Sequence, residues 1–298
     1  MELWVIATIA AAAVQTIRFM LQKRLKGIGL STGGATFSRF LFAVPLACLG
    51  VAVLIAWRGY SIPPLGLAFW AFAIAGGVGQ IIATFCTVAL FSERSFAVGI
   101  AFTKTETVQV ALFSAVFLAE AVSGLGVVAI LIGLAGVLLL SRPPEGWAAG
   151  KIFNRATVLG LLAGGFFGLS AIGYRGATLE IANPDPLFRA MLALACVTAF
   201  QSVAMALWLR WREAGEVTKV LGAWRATLPV GVTGVLGSLG WFTAFALQNA
   251  AYVRTVGQVE LIFSILVSML VFGEKPKARE VVGMSLLALS IVMIVALA

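Results

Sequence analysis

Two charged side chains interrupt an apolar stretch in the first half of the chain, FTKTETVQVALFSAVFLAEA (102–121). Lys104 and Glu106 lie inside a segment that has the length and the apolar character of a membrane span. A charge at the centre of a bilayer costs about 2.5–3.5 kcal/mol on insertion scales, so such residues usually line a pathway or pair with one another. Two residues that are two apart on a helix point about 200° apart around its axis. Each of the two therefore needs its own partner or a wet cavity.

Polar side chains in other apolar stretches recur at helical spacing. One stripe is Gln15, Arg18 and Gln22, and another is Glu260, Ser264 and Ser268. These stripes predict a polar pocket enclosed by a helical bundle, in which at least two of the charges line a path for a substrate or a proton. The alternative is that the charges only pair with one another, for example Arg18 with Glu106.

Three further residues are candidates for this pocket. Arg39 and Arg189 lie in the first turns of apolar segments, where a long side chain either joins the pocket or extends to the membrane interface. Trp241 is expected to wall an apolar sub-pocket or to pack against neighbouring helices. The predicted substrate-binding or coupling set is Gln15, Arg18, Arg39, Lys104, Glu106, Arg189, Trp241, Glu260 and Ser264.

The composition indicates that a membrane holds these residues. The 298 residues are 61% hydrophobic and 11% charged, whereas a soluble domain carries about 25% charged residues. The mean hydropathy of the chain is +1.05. A span needs about 20 apolar residues. Ten such segments are predicted, at 3–22, 34–57, 66–90, 95–118, 122–141, 157–178, 186–209, 226–248, 252–272 and 279–297. We therefore expect an all-α integral membrane protein.

The two halves of the chain resemble each other at an offset of 154 residues. That offset places Glu106 on Glu260 and Glu120 on Glu274, with the same spacing between the two acids in each half. Five spans in each half is an odd number, so the second half enters the membrane from the opposite side. The prediction is two inverted five-helix repeats, at 1–141 and 157–298, joined by a linker loop at 142–156.

Several classes of function are disfavoured by residues that the sequence lacks. It contains no His, and its three Cys lie in apolar runs, so neither a metal nor another cofactor is expected. No GxSxG, HExxH or Walker A pattern occurs, so neither an enzyme nor direct use of ATP is expected. The net charge of +9 comes from basic residues spread over short connections, which does not indicate nucleic-acid binding.

The chain resembles the drug/metabolite transporter superfamily, EamA type. The resemblance is carried by RFLFAVP (39–45), KTETVQVALFSAVFLAE (104–120) and VELIFSILVSMLVFGE (259–274), and it covers nearly the whole chain. Many relatives have a proline where Thr107 and Leu261 stand here, so a proline-based helix break is not expected. The resemblance implies a transporter of amino acids or related metabolites, often an exporter.

The leading hypothesis is a secondary transporter for a small zwitterion or anion, working by alternating access and driven by protons or by exchange. A non-transporting membrane scaffold and an intramembrane enzyme are the alternatives. The expected partners are a small-molecule substrate, membrane lipid and protons, in a monomer or a homodimer.

The loop charges predict the orientation of the chain in the inner membrane. Three basic residues fall on one side, Arg58, Arg175 and Arg254. Fourteen fall on the other: Lys23, Arg24, Lys26, Arg94, Arg142, Lys151, Arg155, Arg210, Arg212, Lys219, Arg225, Lys275, Lys277 and Arg279. Because basic loops stay in the cytoplasm, both termini are predicted to be periplasmic. Relatives are usually drawn with both termini inside, and the loop count favours the opposite orientation.

Overall fold

The computed structural model describes residues 2–90, 93, 102–140, 154–263 and 278–297. This part of the chain is helical and contains no β-strand. Seven of its helices are long and apolar enough to cross a membrane, and two shorter apolar helices accompany them. The all-helical class predicted from the composition is confirmed, and the chain is a multi-pass membrane protein.

The helices follow one another with short connections. They are α1 (Leu3–Gly27), α2 (Thr32–Leu41), α3 (Ala43–Arg58), α4 (Leu67–Leu90), α5 (Glu106–Phe117), α6 (Gly124–Leu140), α7 (Arg155–Leu179), α8 (Pro186–Arg212), α9 (Glu216–Gly222), α10 (Trp224–Leu247), α11 (Ala250–Gly257) and α12 (Ala278–Leu297). Helices α2 and α3 adjoin at Phe42 and together form one span, Thr32–Arg58. Helix α1 continues past its predicted end at 22, because the buried Leu25 still packs against its neighbours.

Short polar residues begin several of these helices. The Ser31 hydroxyl accepts a hydrogen bond from the backbone N–H of Gly34, at 2.9 Å, and begins α2. The Asp185 carboxylate accepts from the backbone N–H of Leu187, at 2.8 Å, ahead of α8. Each cap satisfies an N–H group that has no partner inside the helix.

Small residues let three pairs of helices approach closely. Helix α4 packs along α7, α1 along α10, and α6 along α12. A Cβ atom built on Gly173 of α7 would lie 2.5 Å from the Cα of Gly76 in α4, so the two backbones touch where only glycine fits. At the α6–α12 crossing, a Cβ on Gly136 would lie 2.7 Å from the carbonyl oxygen of Gly283.

The order of the contacts shows that the paired helices are antiparallel. Gly76 of α4 faces Gly173, whereas Gly79 faces Phe166, so residue numbers rise along α4 as they fall along α7. The same holds for α10 and α1. There Gly240 faces Ala7 and Ala11, whereas Gly237 faces Val14 and the backbone N of Gln15.

These directions define two ends of the bundle. Arg175, near the end of α7, donates a hydrogen bond to the carbonyl of Phe245, near the end of α10. The start of α1 lies at this same end, which we call the Arg175 end. The end of α1, with the exposed Lys23, lies at the opposite end together with the end of α4 and the start of α7, and we call it the Lys23 end.

Besides the span that is divided at Phe42, two of the predicted spans contain a break in the helix, and we call these two the broken spans. Residues 102–103 are helical, a turn follows at 104–105, and α5 then begins at Glu106. Helix α11 ends at Gly257, a turn follows at Gln258, and residues 259–263 are again helical. Neither break contains a proline. The sequence did not favour a proline-based break, and these breaks form without one, because tightened turns with bonds from Thr105 N to Phe102 O and from Gln258 N to Thr255 O replace the regular ladder.

Candidate functional site

A cavity of about 270 Å³ lies between α1, α7, α10 and the two broken spans. Its walls are Gln15, Thr16, Phe19, Met20, Lys23, Thr87, Thr103, Lys104, Glu106, Phe167, Trp241, Arg254, Gly257, Gln258, Glu260 and Leu261. The exposed Met20 and Lys23 are part of this lining, so the cavity reaches the surface at the Lys23 end. We call it the central cavity.

Lys104 forms an ion pair with Glu260 across the central cavity. Gln15 of α1 donates a hydrogen bond from Nε2 to Oε2 of Glu260, at 3.1 Å. The indole N–H of Trp241 donates in turn to Oε1 of Gln15, at 3.2 Å. Four of the predicted site residues therefore form one connected network from α1, α10 and the two broken spans.

Glu106 forms a second ion pair, with Arg254 of α11. The guanidinium carbon of Arg254 lies 4.6 Å from the ring centroid of Trp241 and 5.9 Å from that of Phe167. Aromatic faces attract a cation, and this attraction is stronger away from water. Arg254 is thus held by one carboxylate and two rings at the wall of the cavity.

The helix break accounts for the two charges in the opening stretch. Glu106 is the first residue of α5, where the positive end of the helix dipole stabilises a carboxylate. Lys104 lies in the turn just before it, so the two side chains are not constrained to the 200° separation of a continuous helix. Both line the same cavity, and each pairs with a residue of the other broken span.

A smaller cavity of about 20 Å³ adjoins the central one and shares the walls Gln15, Phe167, Trp241 and Arg254 with it. Arg39 is only 5% exposed and lines this second space. Its Nη1 donates to the hydroxyl of Thr84, at 2.9 Å, and its Nη2 donates to the hydroxyl of Ser238, at 3.4 Å.

Arg18 is buried, with 2% of its surface exposed, but it does not line the central cavity. Its guanidinium carbon lies 4.7 Å from the ring centroid of Phe19, and its charge interacts with those of Arg39 and Arg254. Among the described residues, its Nε and Nη2 atoms have no hydrogen-bond partner. The suggested pairing of Arg18 with Glu106 is not observed, because Glu106 pairs with Arg254 instead.

Arg189 lies away from the cavity, at the Arg175 end. Its Nη2 donates to the carbonyl oxygen of Ala246, at 3.2 Å. Nearby, Nε of Arg175 donates to both carboxylate oxygens of Glu120, at 2.9 and 2.7 Å. These bonds join the ends of α7, α8 and α10 to the connection after α5. The rings of Trp241 and Phe245, which line the smaller cavity, stack with their centroids 6.1 Å apart.

The structure thus brings five predicted residues to the central cavity: Gln15, Lys104, Glu106, Trp241 and Glu260. Arg39 lies in the adjoining space, and Arg18 lines neither cavity. Ser264 falls outside the described residues.

Arg254 is the main residue that the sequence analysis assigned wrongly, because it was counted with the loops. It precedes Gln258, another lining residue, by one helical turn. That i, i+4 spacing places the two side chains on one face of the helix and could have indicated that Arg254 lines the pocket.

Comparisons with known proteins agree with the membrane architecture. The model of the EamA-like transporter family matches residues 154–296. A solved crystal structure is similar over 97% of this chain and 99% of its own, with a TM-score of 0.64 and 16% sequence identity. At that identity the likeness shows a shared fold only. No curated protein sequence matches the chain.

Proposed function

Residues 154–296 match the model of the EamA-like transporter family, and from this likeness we propose a secondary transporter of a small organic metabolite in the inner membrane. The observation that carries the proposal is the central cavity, which holds charges of both signs and reaches the surface at the Lys23 end. Such a cavity suits a zwitterion or an anion that is loaded from one side and released on the other.

Alternating access requires that the opposite end be closed in this state. Trp241 and Phe245 line the smaller cavity, and Arg175 bonds both to Glu120 and to the carbonyl of Phe245, which joins the helix ends there. Release would require these bonds to separate while the Lys23 end closes. The scaffold hypothesis gives no reason for a charged cavity of this kind.

Two features support an inverted repeat of five spans, 1–141 with 157–298. In an inverted repeat, α1 corresponds to α7 and α4 corresponds to α10. The α1–α10 pair is then equivalent to the α7–α4 pair, and both pairs pack closely. The breaks at 104–105 and at Gln258 also fall at equivalent positions under the offset of about 154 residues. Broken helices at matched places in two repeats are typical of sites where transporters bind their substrates.

Glu106 and Glu260 are the candidates for proton coupling. Both line the cavity, and each is held by a cation that would be released if the carboxylate took up a proton. The same ion pairs also fit an exchanger, in which a second substrate replaces the proton. Dependence of transport on an imposed pH gradient separates these two mechanisms.

The charge distribution supports a cytoplasmic Lys23 end. Arg175 and Arg254, two of the three basic residues counted on the other side, have side chains only 11% exposed and pair inside the bundle. Arg58 remains as the exposed one. The cavity would then open to the cytoplasm, the side from which an exporter loads its substrate. A periplasm-specific reporter fused after Ala298 should be active, and activity of a cytoplasm-specific reporter instead would reverse the orientation.

Reconstitution into liposomes tests the proposed function. Purified protein should accumulate a labelled organic solute against its gradient when a pH gradient or a counter-solute is supplied. Liposomes with the Glu106→Gln variant serve as the control, since that variant lacks one carboxylate of the site. Equal, passive fluxes in protein-containing and empty liposomes, for every solute tested, would favour the scaffold alternative.

A further inference from the structure

Among the described residues, positive charge exceeds negative charge around the two adjoining cavities. Arg39, Lys104 and Arg254 line these cavities, and Arg18 is a fourth buried cation whose charge interacts with those of Arg39 and Arg254. Only two of them, Lys104 and Arg254, have a carboxylate partner among the described residues, and these partners are Glu260 and Glu106. A charge removed from water is costly unless a counter-charge compensates it.

Arg39 reaches this region with only neutral partners. Its two bonds go to the hydroxyls of Thr84 and Ser238. Thr84 also accepts from Nε2 of Gln80, at 3.2 Å, so its hydroxyl serves two donors at once. A guanidinium that is bonded to hydroxyls keeps its full charge, and the local potential stays positive.

Arg18 adds a third guanidinium within electrostatic range of Arg39 and Arg254. At 2% exposure it is removed from water, and its Nε and Nη2 atoms have no partner in the described part of the chain. An arginine in this state lowers the stability of the fold. Together with Arg39 and Arg254, which line the smaller cavity, it indicates a site that is completed by an added negative group.

We propose that the substrate is an organic anion, whose carboxylate or phosphate group binds at the inner end of the central cavity beside Arg254, with Arg39 and Arg18 supplying the uncompensated positive charge. The inference rests on the proposed transport function and narrows its substrate class from zwitterion or anion to anion. Guanidinium groups suit both anionic groups, since they donate pairs of parallel hydrogen bonds.

Binding to the purified protein tests the charge requirement with probes of matched length. The probes are succinate, 4-aminobutyrate, 1,4-butanediol and putrescine, which share a four-carbon chain and differ in charge, together with glycerol 3-phosphate and lactate. At constant ionic strength, at least one of succinate, lactate and glycerol 3-phosphate should raise the melting temperature by about 2 °C or more. Carboxylate and phosphate arms show which anionic group is preferred. The proposal is overturned if no anion gives a greater shift than butanediol and 4-aminobutyrate, or if putrescine gives a larger shift than the anions.

Arg39→Gln, measured with the anion that binds wild type, locates the site. The substitution should lower the affinity for that anion about tenfold or more, because charge-assisted hydrogen bonds contribute more to binding than neutral ones. Arg39→Lys should retain part of the affinity. The matched control is Arg58→Gln, at an exposed arginine on the end of α3, which should bind as wild type does. Unchanged affinity in folded Arg39→Gln contradicts the assignment.

Arg18→Met gives a readout that does not depend on Arg39. Methionine fills a similar space without a charge, so the variant should melt at a higher temperature than wild type while it binds the anion more weakly. A lower melting temperature together with unchanged affinity would mean that Arg18 only holds the fold.

Failure of this inference and failure of the proposed function look different. Transport of putrescine or butanediol, with no response to anions, would support the transport function and contradict the anion site. Binding of an anion that depends on Arg39, with no flux in liposomes, would support the anion site and contradict the transport function.

Discussion

Arg175 at its end of the bundle differs from Arg39 and Arg18, near the two cavities, in how completely its donors are bonded. Arg175 donates from Nε to both oxygens of Glu120 and from Nη1 to the carbonyl of Phe245. Arg39 has hydroxyl partners only, and Arg18 has two nitrogen atoms without any partner among the described residues. The residue type is the same at both places, and the bonding differs.

This difference separates a structural arginine from one that is available to a ligand. A guanidinium whose donors are filled by protein atoms joins helix ends and has little capacity left for a substrate. A buried guanidinium with free donors reduces stability, and such a cost is typical of functional sites. Arg254 lies between these two cases, because a carboxylate and two aromatic rings hold it at the cavity wall.

The largest effect is expected at the pair of Glu106 and Arg254. Glu106→Gln leaves Arg254 buried without a counter-charge, so it should lower the free energy of unfolding by about 3 kcal/mol and transport by about 100-fold. Adding Arg254→Gln removes the orphaned charge and should restore most of the stability without restoring transport. Thermal melts and liposome flux on both variants measure the two quantities. Recovery of transport in the double variant would make the pair structural, like the one at the Arg175 end.

Arg175→Gln tests the other side of the comparison. The ion pair with Glu120 is less buried, with the two side chains 11% and 23% exposed, so the free energy of unfolding should fall by about 2 kcal/mol. Substrate affinity measured from the Lys23 end should stay within about twofold of wild type, because Arg175 does not line the cavity. A tenfold loss of affinity with an intact fold would remove the distinction between the two regions.

Gly173→Ala tests whether the close crossing of α4 and α7 stabilises the bundle between the Arg175 end and the central cavity. The added Cβ would lie 2.5 Å from the Cα of Gly76, so the backbones must move apart, and the loss of stability should be about 1–3 kcal/mol. Gly124→Ala is the matched control at the start of α6, where a Cβ meets nothing within 4 Å. Equal melting temperatures for the two variants would show that the crossing tolerates a side chain.

The smallest effect on stability is expected when the carboxylate of Glu216 is removed. This carboxylate lies outside the spans and is bonded as fully as that of Glu120. Burial acts to raise the pKa of Glu216, but the backbone N–H of Ser31 and the ammonium of Lys219 outweigh it and lower the pKa below the usual 4.5. A depressed pKa in the folded state stabilises the protein above pH 4.5, and this stabilisation is lost as pH falls through the lowered pKa.

Melting temperatures from pH 7 down to pH 3 measure this contribution. Glu216→Gln should melt below wild type at pH 7, and the difference should shrink as the pH falls. A difference that is constant across this range would mean that the ionised carboxylate contributes nothing.

Much of this protein follows from the sequence by itself. Apolar length and composition determined an all-helical membrane chain and the approximate bounds of the long helices, because a bilayer requires about 20 apolar residues per span whatever the neighbours are. The cost of burying charge likewise singled out Lys104, Glu106 and Glu260 before any contact was known. Helical spacing showed which residues share a face, as with Gln15 and Arg18, although only Gln15 lines the central cavity.

The tertiary structure alone decided which charges meet. Lys104 pairs with a residue 156 positions away, and Arg254 turns inward to Glu106 although sequence reasoning placed it in a loop. Helical periodicity fixes directions around one axis, but the partner depends on how separate helices cross, and those crossings are set by glycine contacts such as Gly76 with Gly173. The helix break before Glu106 also formed without a proline, because bonds within a tightened turn replace the regular helical ones. The sequence therefore specified the charges, and the packing of the helices specified their bonds.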